Sequence, residues 1–143
     1  MTVVRSVIAS EVVDRLKAIG DAAETELMPS GEPISFPARH IFDGGQSIIP
    51  GEVGSSRYAL DLTIEGYLEQ AGGAEALAAL NQFYAATVAA IMEDETLGGL
   101  AETIDEGDLR IVVAPLASKQ RLGFSLDFTI TFATRRDNPA EPA

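Results

Sequence analysis

Residues 120–134 alternate between apolar and polar side chains along their length. The apolar positions are Leu122, Phe124, Leu126, Phe128, Ile130 and Phe132. Because successive side chains of a strand point to opposite faces of a sheet, this pattern predicts a β-strand with one face in the core. At about 3.3 Å per residue the strand would span roughly 50 Å. We therefore expect it to bend or to protrude beyond its sheet.

A second alternating run covers residues 57–68, where Tyr58, Leu60, Leu62 and Ile64 share one face. The alternation breaks at Gly66, which predicts a bulge or the end of the strand there. Weaker patterns predict a strand at 34–42 and one or two short strands within 100–113. Since Pro37 has no backbone N–H, the strand at 34–42 is expected at the edge of the sheet.

Two amphipathic helices are predicted from apolar residues that recur three and four positions apart. The first covers residues 4–19 and ends at Gly20, a residue type common at helix C-termini. The Ala- and Glu-rich residues 21–27 are compatible with an extension of this helix. The second covers residues 74–93, where many alanines add helix propensity.

Glycine and proline mark the segments that are predicted to lack regular structure. Residues 43–56 contain Gly44 and Gly45 and form a predicted loop of a length that is often functional or mobile. Residues 115–118 are predicted to form a turn. The polar residues 137–143 are predicted to be a flexible tail, which leaves residues 1–136 as a single domain.

The order of these elements predicts the fold class. Consecutive strands with short connections favour antiparallel pairing, and two amphipathic helices can cover one face of the resulting sheet. The sequence therefore predicts an α+β fold. We expect a two-layer sandwich of a mainly antiparallel sheet covered by two helices, with a long protruding C-terminal strand or hairpin.

Composition excludes several classes of protein. The chain has 143 residues, no cysteine, one histidine and a formal net charge of −12. Disulfides, thiol nucleophiles and zinc–thiolate sites are therefore impossible. The negative charge opposes binding to nucleic acids and to anionic membrane surfaces. No apolar stretch reaches the length of a membrane span and the N-terminus does not resemble a signal peptide, so we expect synthesis in the cytoplasm.

No residue pattern indicates catalysis, a cofactor or a metal site. His40 lies between Arg39 and an apolar pair, and the prediction is a packed or surface histidine. The carboxylates between residues 93 and 108 do not have the spacing of an EF-hand loop, so a solvated acidic face is expected. Enzymatic activity is not predicted.

Charge is unevenly distributed near the end of the chain. Residues 93–108 contain seven acidic residues and no Lys or Arg, whereas residues 109–136 contain five basic residues and one acidic residue. One interpretation is a solvated surface with weak cross-strand ion pairs. The other is head-to-tail assembly, in which the acidic face of one subunit meets the basic strand of the next.

Residues 74–139 carry a pattern that resembles a known family. An Ala-rich amphipathic helix ends in the sequence Asp-Glu-Thr-Leu-Gly-Gly at 94–99, a variable strand region follows, and the long alternating strand exits through Thr-Arg-Arg-Asp-Asn-Pro at 134–139. This arrangement is similar to the tail terminator, or tail completion, proteins of long-tailed phages and of phage-derived gene transfer agents.

The resemblance implies a structural protein without catalysis. It implies a hexameric ring that caps the tail tube, ends its polymerisation and joins the tail to the head. The partners would be the tail tube protein and a head-completion or neck protein, and DNA would pass through the ring without specific binding. After synthesis the protein would become part of the particle. The expected contact residues are Asp127, Thr129, Thr131, Arg135, Arg136, and Gly44 and Gly45 in the 43–56 loop.

Two alternative functions also fit the sequence. One is a dimeric α+β domain that binds a small molecule between helix 74–93 and the sheet. The other is a neighbouring head–tail connector or neck protein of the same particle.

Overall fold

The fold is α+β, as predicted, and the residues that the structure describes form two helices and a mixed sheet of six strands. A computed structural model describes residues 2–70, 73–115 and 120–143. The elements in chain order are α1 Val4–Ile19, β1 Glu24–Leu27, β2 Ala38–Ile49, β3 Ser55–Gln70, α2 Ala74–Met92, β4 Thr103–Pro115, β5 Gln120–Arg135 and β6 Asn138–Pro142.

The strands lie in the spatial order β1-β2-β3-β5-β4. The β1 strand runs parallel to β2, and the other pairs are antiparallel. The two longest strands, β3 and β5, pair along their whole length at the centre of the sheet. The β6 strand pairs with the last residues of β5, beyond the point where β4 begins.

The core lies between one face of this sheet and the two helices. The alternating positions of β3 and β5 are in register, so that Leu62 faces Phe128 and Ile64 faces Leu126. Helix α1 contributes Ile8, Val12 and Leu16 to the core, and α2 contributes Leu80, Phe83 and Ile91. Burial of these apolar side chains holds the helices on the sheet. It contributes about 25 cal/mol of stabilising free energy per Å² of apolar surface removed from water.

The predicted interruption at Gly66 is wrong, because β3 continues to Gln70. Gly66 pairs with Phe124 of β5, and a Cβ at position 66 would overlap the Phe124 ring. The ring is held in turn by Phe83 and Tyr84 of α2. Glycine is therefore required at this position by the close approach of an aromatic ring, without any break in pairing.

The predicted loop at 43–56 is also wrong, since most of it forms a β-hairpin. The β2 strand continues to Ile49 and β3 begins at Ser55, which leaves only residues 50–54 as a connection. Gly44 and Gly45 form a bulge within β2, where the register shifts between Asp43 and Gln46. Gly45 has a φ of 97°, a conformation that favours glycine.

Two further differences concern the edges of the sheet. The β2 strand pairs with both β1 and β3 over Ala38–Ile41, so this part is not at the edge as predicted, whereas the residues after Ile41 pair only with β3. Pro37 does not interrupt the pairing, because it precedes the first residue of the strand. Residues 24–27, predicted as a possible extension of α1, form β1 instead. Helix α1 ends where Gly20 adopts a left-handed conformation, which redirects the chain towards the sheet.

Residues 138–142, within the segment predicted to be a flexible tail, form strand β6 on the end of β5. The Arg135 guanidinium pairs with Glu141 at 3.0 Å, and the Ala143 N–H donates to the Ala133 carbonyl at 3.2 Å. Of the one or two short strands predicted within 100–113, the structure has one, β4, which extends to Pro115. The predicted turn lies outside the described residues, apart from Pro115. No helix among the described residues is long and apolar enough to cross a membrane.

Candidate assembly surfaces and a histidine–carboxylate cluster

The carboxyl-terminal half of β4 exposes apolar side chains at the edge of the sheet. Leu109, Ile111, Val112 and Val113 are between 37% and 53% exposed. Leu109, Ile111 and Val113 lie on the helix side of the sheet, and Val112 lies on the opposite side. Helix α2 packs over β3 and β5, so the helix-side residues of this half of β4 lie beyond the helix layer. We call these four residues the β4 edge. An unpaired strand edge with apolar side chains is a typical site for association with another chain.

The amino-terminal half of β4 has the opposite character. Asp105, Glu106 and Asp108 are all exposed, and the register shifts between Glu106 and Leu109. Gly107 lies so close to β5 that a Cβ there would be 3.0 Å from the Asp127 carbonyl oxygen. Charges and bulges discourage edge-to-edge pairing, so the β4 edge is the part of this strand that is suited to a contact.

A second exposed apolar surface lies at the end of the β2–β3 hairpin. Ile48 is 74% exposed and Val53 is fully exposed. We call residues 48–54 the hairpin tip. The backbone N–H of Arg136 donates to the Gly54 carbonyl at 3.0 Å, which fixes the tip to the end of β5.

The predicted contact residues on β5 share the sheet face that is opposite to the helices. Asp127 accepts hydrogen bonds from Arg110 at 3.0 Å and from Thr63 at 2.9 Å. The Arg110 guanidinium, followed by Thr63, holds the pKa of Asp127 below its usual range. Thr129 donates to Asp61 at 3.3 Å. Thr131 is buried and is not available on the surface of the isolated subunit.

The other predicted contact residues lie in separate places. Arg135 and Arg136 are exposed beside the hairpin tip. Gly44 and Gly45 lie in the β2 bulge, and Gly44 is next to Asp61 on β3. The structure therefore groups Asp127 and Thr129 on one face and places the arginines at the far end of the sheet.

Several charges behind the head-to-tail interpretation are paired within the chain. The acidic stretch uses Asp94 to bind Arg15 and Glu102 to bind Arg57. In the basic stretch, Arg110 binds Asp127, and Arg135 binds Glu141. These pairs are partly exposed, so solvent screens them and they stabilise the fold only weakly. Apolar exposure is therefore a better indicator of a contact surface than the charge pattern.

His40 is packed, as the sequence analysis predicted, but it has a specific partner. It is 2% exposed, and its Nε2 atom lies 2.5 Å from Oε2 of Glu24 on β1. The hydrogen bond to His40 is the main reason why the pKa of Glu24 is lowered. Glu26 lies close to both, and the ligand atoms of these three residues are within 4.8 Å of one another. Among the described residues this cluster is able to hold a metal ion.

Neighbouring polar groups on the same sheet face surround the histidine. The Tyr67 ring packs against His40 at a centroid distance of 5.8 Å, and its hydroxyl donates to Glu65. Burial, followed by the Glu65 carboxylate, raises the pKa of Tyr67. Residues 32–36 lie over this end of the sheet, where Arg121 contacts Glu32 and the Phe36 ring. This covering segment explains why a histidine on the polar face is buried.

The space between α2 and the sheet is filled by side chains. Leu80, Phe83 and Ile91 of α2 are buried against β3 and β5, and the Phe83 ring meets Phe124 at a centroid distance of 6.0 Å. A small-molecule pocket at this position, one of the sequence-based alternatives, would require these side chains to move.

The sequence matches no family model and no curated protein.

The β4 edge and the Glu24–His40 pair were not predicted from the sequence, whereas the hairpin tip lies within the 43–56 segment that was expected to make contacts. Residues 109–113 have an apolar pattern that predicts a strand. The local sequence does not reveal whether a helix covers that strand. The Glu24–His40 pair joins two strands through a parallel register, and only the topology reveals it.

Proposed function

We propose that this protein is a ring-forming structural subunit, a tail terminator that caps the tail tube of a phage or phage-like particle. The observation that carries the proposal is the presence of two separate apolar surfaces, the β4 edge and the hairpin tip. Each subunit in a closed ring uses two different surfaces, one for each neighbour. The resemblance over residues 74–139 supplies the sixfold ring and the tail tube as its partner.

The positions of the two surfaces support a head-to-tail contact. Ile111 of the β4 edge pairs with Phe124, which pairs with Gly66 of β3. The hairpin tip ends at residue 54, next to Ser55 at the other end of the same strand. At about 3.3 Å per residue, the two surfaces are roughly 20 Å apart along β3 at their nearest residues, Ile48 beside Tyr58 and Leu109 in line with Ile64, and roughly 35 Å apart between Ile111 and Ser55. Surfaces this far apart cannot both lie in one small symmetric contact, so they are suited to two different neighbours.

The remaining features are compatible with this role. The helix layer packs directly on the sheet, which favours a structural subunit over the small-molecule-binding alternative. The net charge of −12 opposes adhesion to DNA passing through the ring. A neck protein of the same particle would use the same kind of ring contact. Binding to the tail tube distinguishes a terminator from a neck protein.

The proposal is tested by native mass spectrometry over a range of protein concentrations. We expect a sixfold species for the natural chain and its loss in Val112→Lys, which places a charge on the β4 edge. Ile34→Lys is the matched control, because Ile34 is 89% exposed and lies outside both surfaces. Equal assembly of both variants would refute the role of the β4 edge.

A second experiment tests the assignment to the tail tube. The protein is mixed with purified tail tubes, and the complexes are examined by electron microscopy. We expect a ring at one end of each tube and an arrest of further polymerisation. Binding only to head connectors would instead assign the protein to the neck.

A further inference from the structure

The cluster of Glu24, Glu26 and His40 has the composition of a metal site with one imidazole and two carboxylate ligands. In the parallel pairing of β1 and β2, Glu26 is the direct partner of His40 and Glu24 is the partner of Ala38. Residues two apart on a strand point to the same side. The topology therefore places all three side chains on one face, although they come from two separate strands.

The first two ligands are already held in position. His40 is buried, with its ring at centroid distances of 6.4 Å from Phe42 and 5.8 Å from Tyr67. The backbone N–H groups of Ile34 and Ser35 donate to Oε1 of Glu24 at 3.1 and 3.4 Å. These bonds leave Oε2 of Glu24 directed at Nε2 of His40. Hydrogen bonds to the outer atoms of ligands are typical of metal sites, since they fix the orientation of each ligand.

The third ligand is free to complete the site. Glu26 is exposed, and its carboxylate has no hydrogen-bond or ion-pair partner within the described ranges. Zinc binds nitrogen and carboxylate ligands at about 2.0–2.2 Å, so the ligand atoms must approach one another more closely than 4.8 Å. A rotation of the Glu26 side chain brings its carboxylate closer, and Nε2 of His40 and Oε2 of Glu24, which are 2.5 Å apart, separate to admit the ion between them. An open groove lined by Glu24, Thr25, Glu26 and Lys17 provides a route from solvent.

We propose that Glu24, Glu26 and His40 bind one first-row divalent metal ion of the Zn²⁺ type. Imidazole together with carboxylate favours zinc and its transition-metal neighbours, whereas Ca²⁺ and Mg²⁺ prefer sites made only of oxygen. Water completes the coordination. The ion takes the place of the proton between Nε2 of His40 and Oε2 of Glu24, because a metal binds an imidazole nitrogen only after its proton has left. The bound ion fastens the short strand β1 to β2. This inference does not depend on the proposed role in a particle.

The test uses the full chain without an affinity tag, so that His40 is the only imidazole. Zn²⁺ is titrated by calorimetry, and the ring nitrogens of His40 are followed by NMR. We expect one ion per chain and a large shift of the His40 Nε2 resonance. In Glu26→Gln we expect an unchanged thermal midpoint without metal and an affinity that is at least about tenfold weaker.

Glu95→Gln is the matched control, because it removes one exposed carboxylate outside the cluster. It should bind Zn²⁺ as tightly as the natural chain. The proposal is overturned if Zn²⁺ leaves the His40 resonances unchanged, or if Glu26→Gln and Glu95→Gln bind with equal affinity. It is also overturned if an equal concentration of Mg²⁺ displaces the zinc.

Discussion

Removal of Asp21 should destabilise the protein more than replacement of its buried partner, Arg39. The Arg39 side chain is fully buried, whereas that of Asp21 is 33% exposed. Arg39 contacts both carboxylate oxygens of Asp21, and its Nε atom donates to Thr87 at 2.8 Å. Its guanidinium also lies 3.9 Å from the centre of the Phe83 ring. Removal of Asp21 therefore leaves a buried cation without its counter-ion, whereas removal of Arg39 leaves a carboxylate that reaches water.

The expected magnitudes follow from this asymmetry. In Asp21→Ala a buried guanidinium loses its counter-ion, which costs about 3–5 kcal/mol of unfolding free energy. In Arg39→Met the remaining carboxylate reaches water and an apolar chain fills the buried space. That change loses hydrogen bonds worth about 1 kcal/mol each but removes the desolvation penalty of the cation, so we expect a net loss of about 1–2 kcal/mol.

The assay is urea denaturation, with every variant made in the Val112→Lys background so that assembly does not contribute to stability. The double variant should be close to Arg39→Met alone, because Asp21 has no buried charge left to neutralise. If Arg39→Met costs as much as Asp21→Ala, or if the two losses are additive, the buried cation is not the source of the effect.

Two further predictions concern Gly66 and Asp94. Gly66→Ala should lower the unfolding free energy by about 1–3 kcal/mol, because its Cβ overlaps the Phe124 ring. Gly31→Ala, at an open position, is the control in urea denaturation, and an equal effect at both glycines would contradict the packing argument. Hydrogen bonds from the Thr96 hydroxyl, then from backbone N–H groups of Gly98 and Thr96, lower the pKa of Asp94 to about 2. The natural chain should therefore be more stable than Asp94→Asn above about pH 4, and this difference in unfolding free energy should disappear as the pH falls through about 2. Urea denaturation at pH 5, 3 and 2 measures the difference, and a constant difference would contradict the prediction.

Elements with a strong internal period were predictable from the sequence. The alternation around Leu126 and Phe128 predicts β5, and the spacing of apolar residues predicts α1 and α2. In each of these elements the local pattern and the tertiary environment agree, because the same apolar side chains form the core.

Elements that depend on a partner strand were not predictable. The glycine-rich residues 43–49 form a strand because β3 pairs with them, and the polar residues 138–142 form one because β5 offers a free edge. Their own composition favours turns and tails. The tertiary pairing overrides this local preference, as β-structure often does.

In the candidate site, too, some features follow from the local sequence pattern and others depend on the tertiary structure. Asp127 and Thr129 were placed correctly on the polar face, since alternation alone assigns faces. The exposure of the β4 edge depends on where α2 ends its coverage of the sheet. The contact of Glu24 with His40 depends on a parallel pairing across sixteen positions of sequence, which no local signal encodes.

If subunits join through two different surfaces, two single variants that block different surfaces should complement each other when they are mixed. Val112→Lys blocks the β4 edge and Val53→Lys blocks the hairpin tip. Each variant alone should be monomeric by native mass spectrometry, whereas an equimolar mixture should form a heterodimer through the two intact surfaces and nothing larger. A homodimer of Val53→Lys would instead mean that β4 edges pair with each other, and the head-to-tail ring would be contradicted.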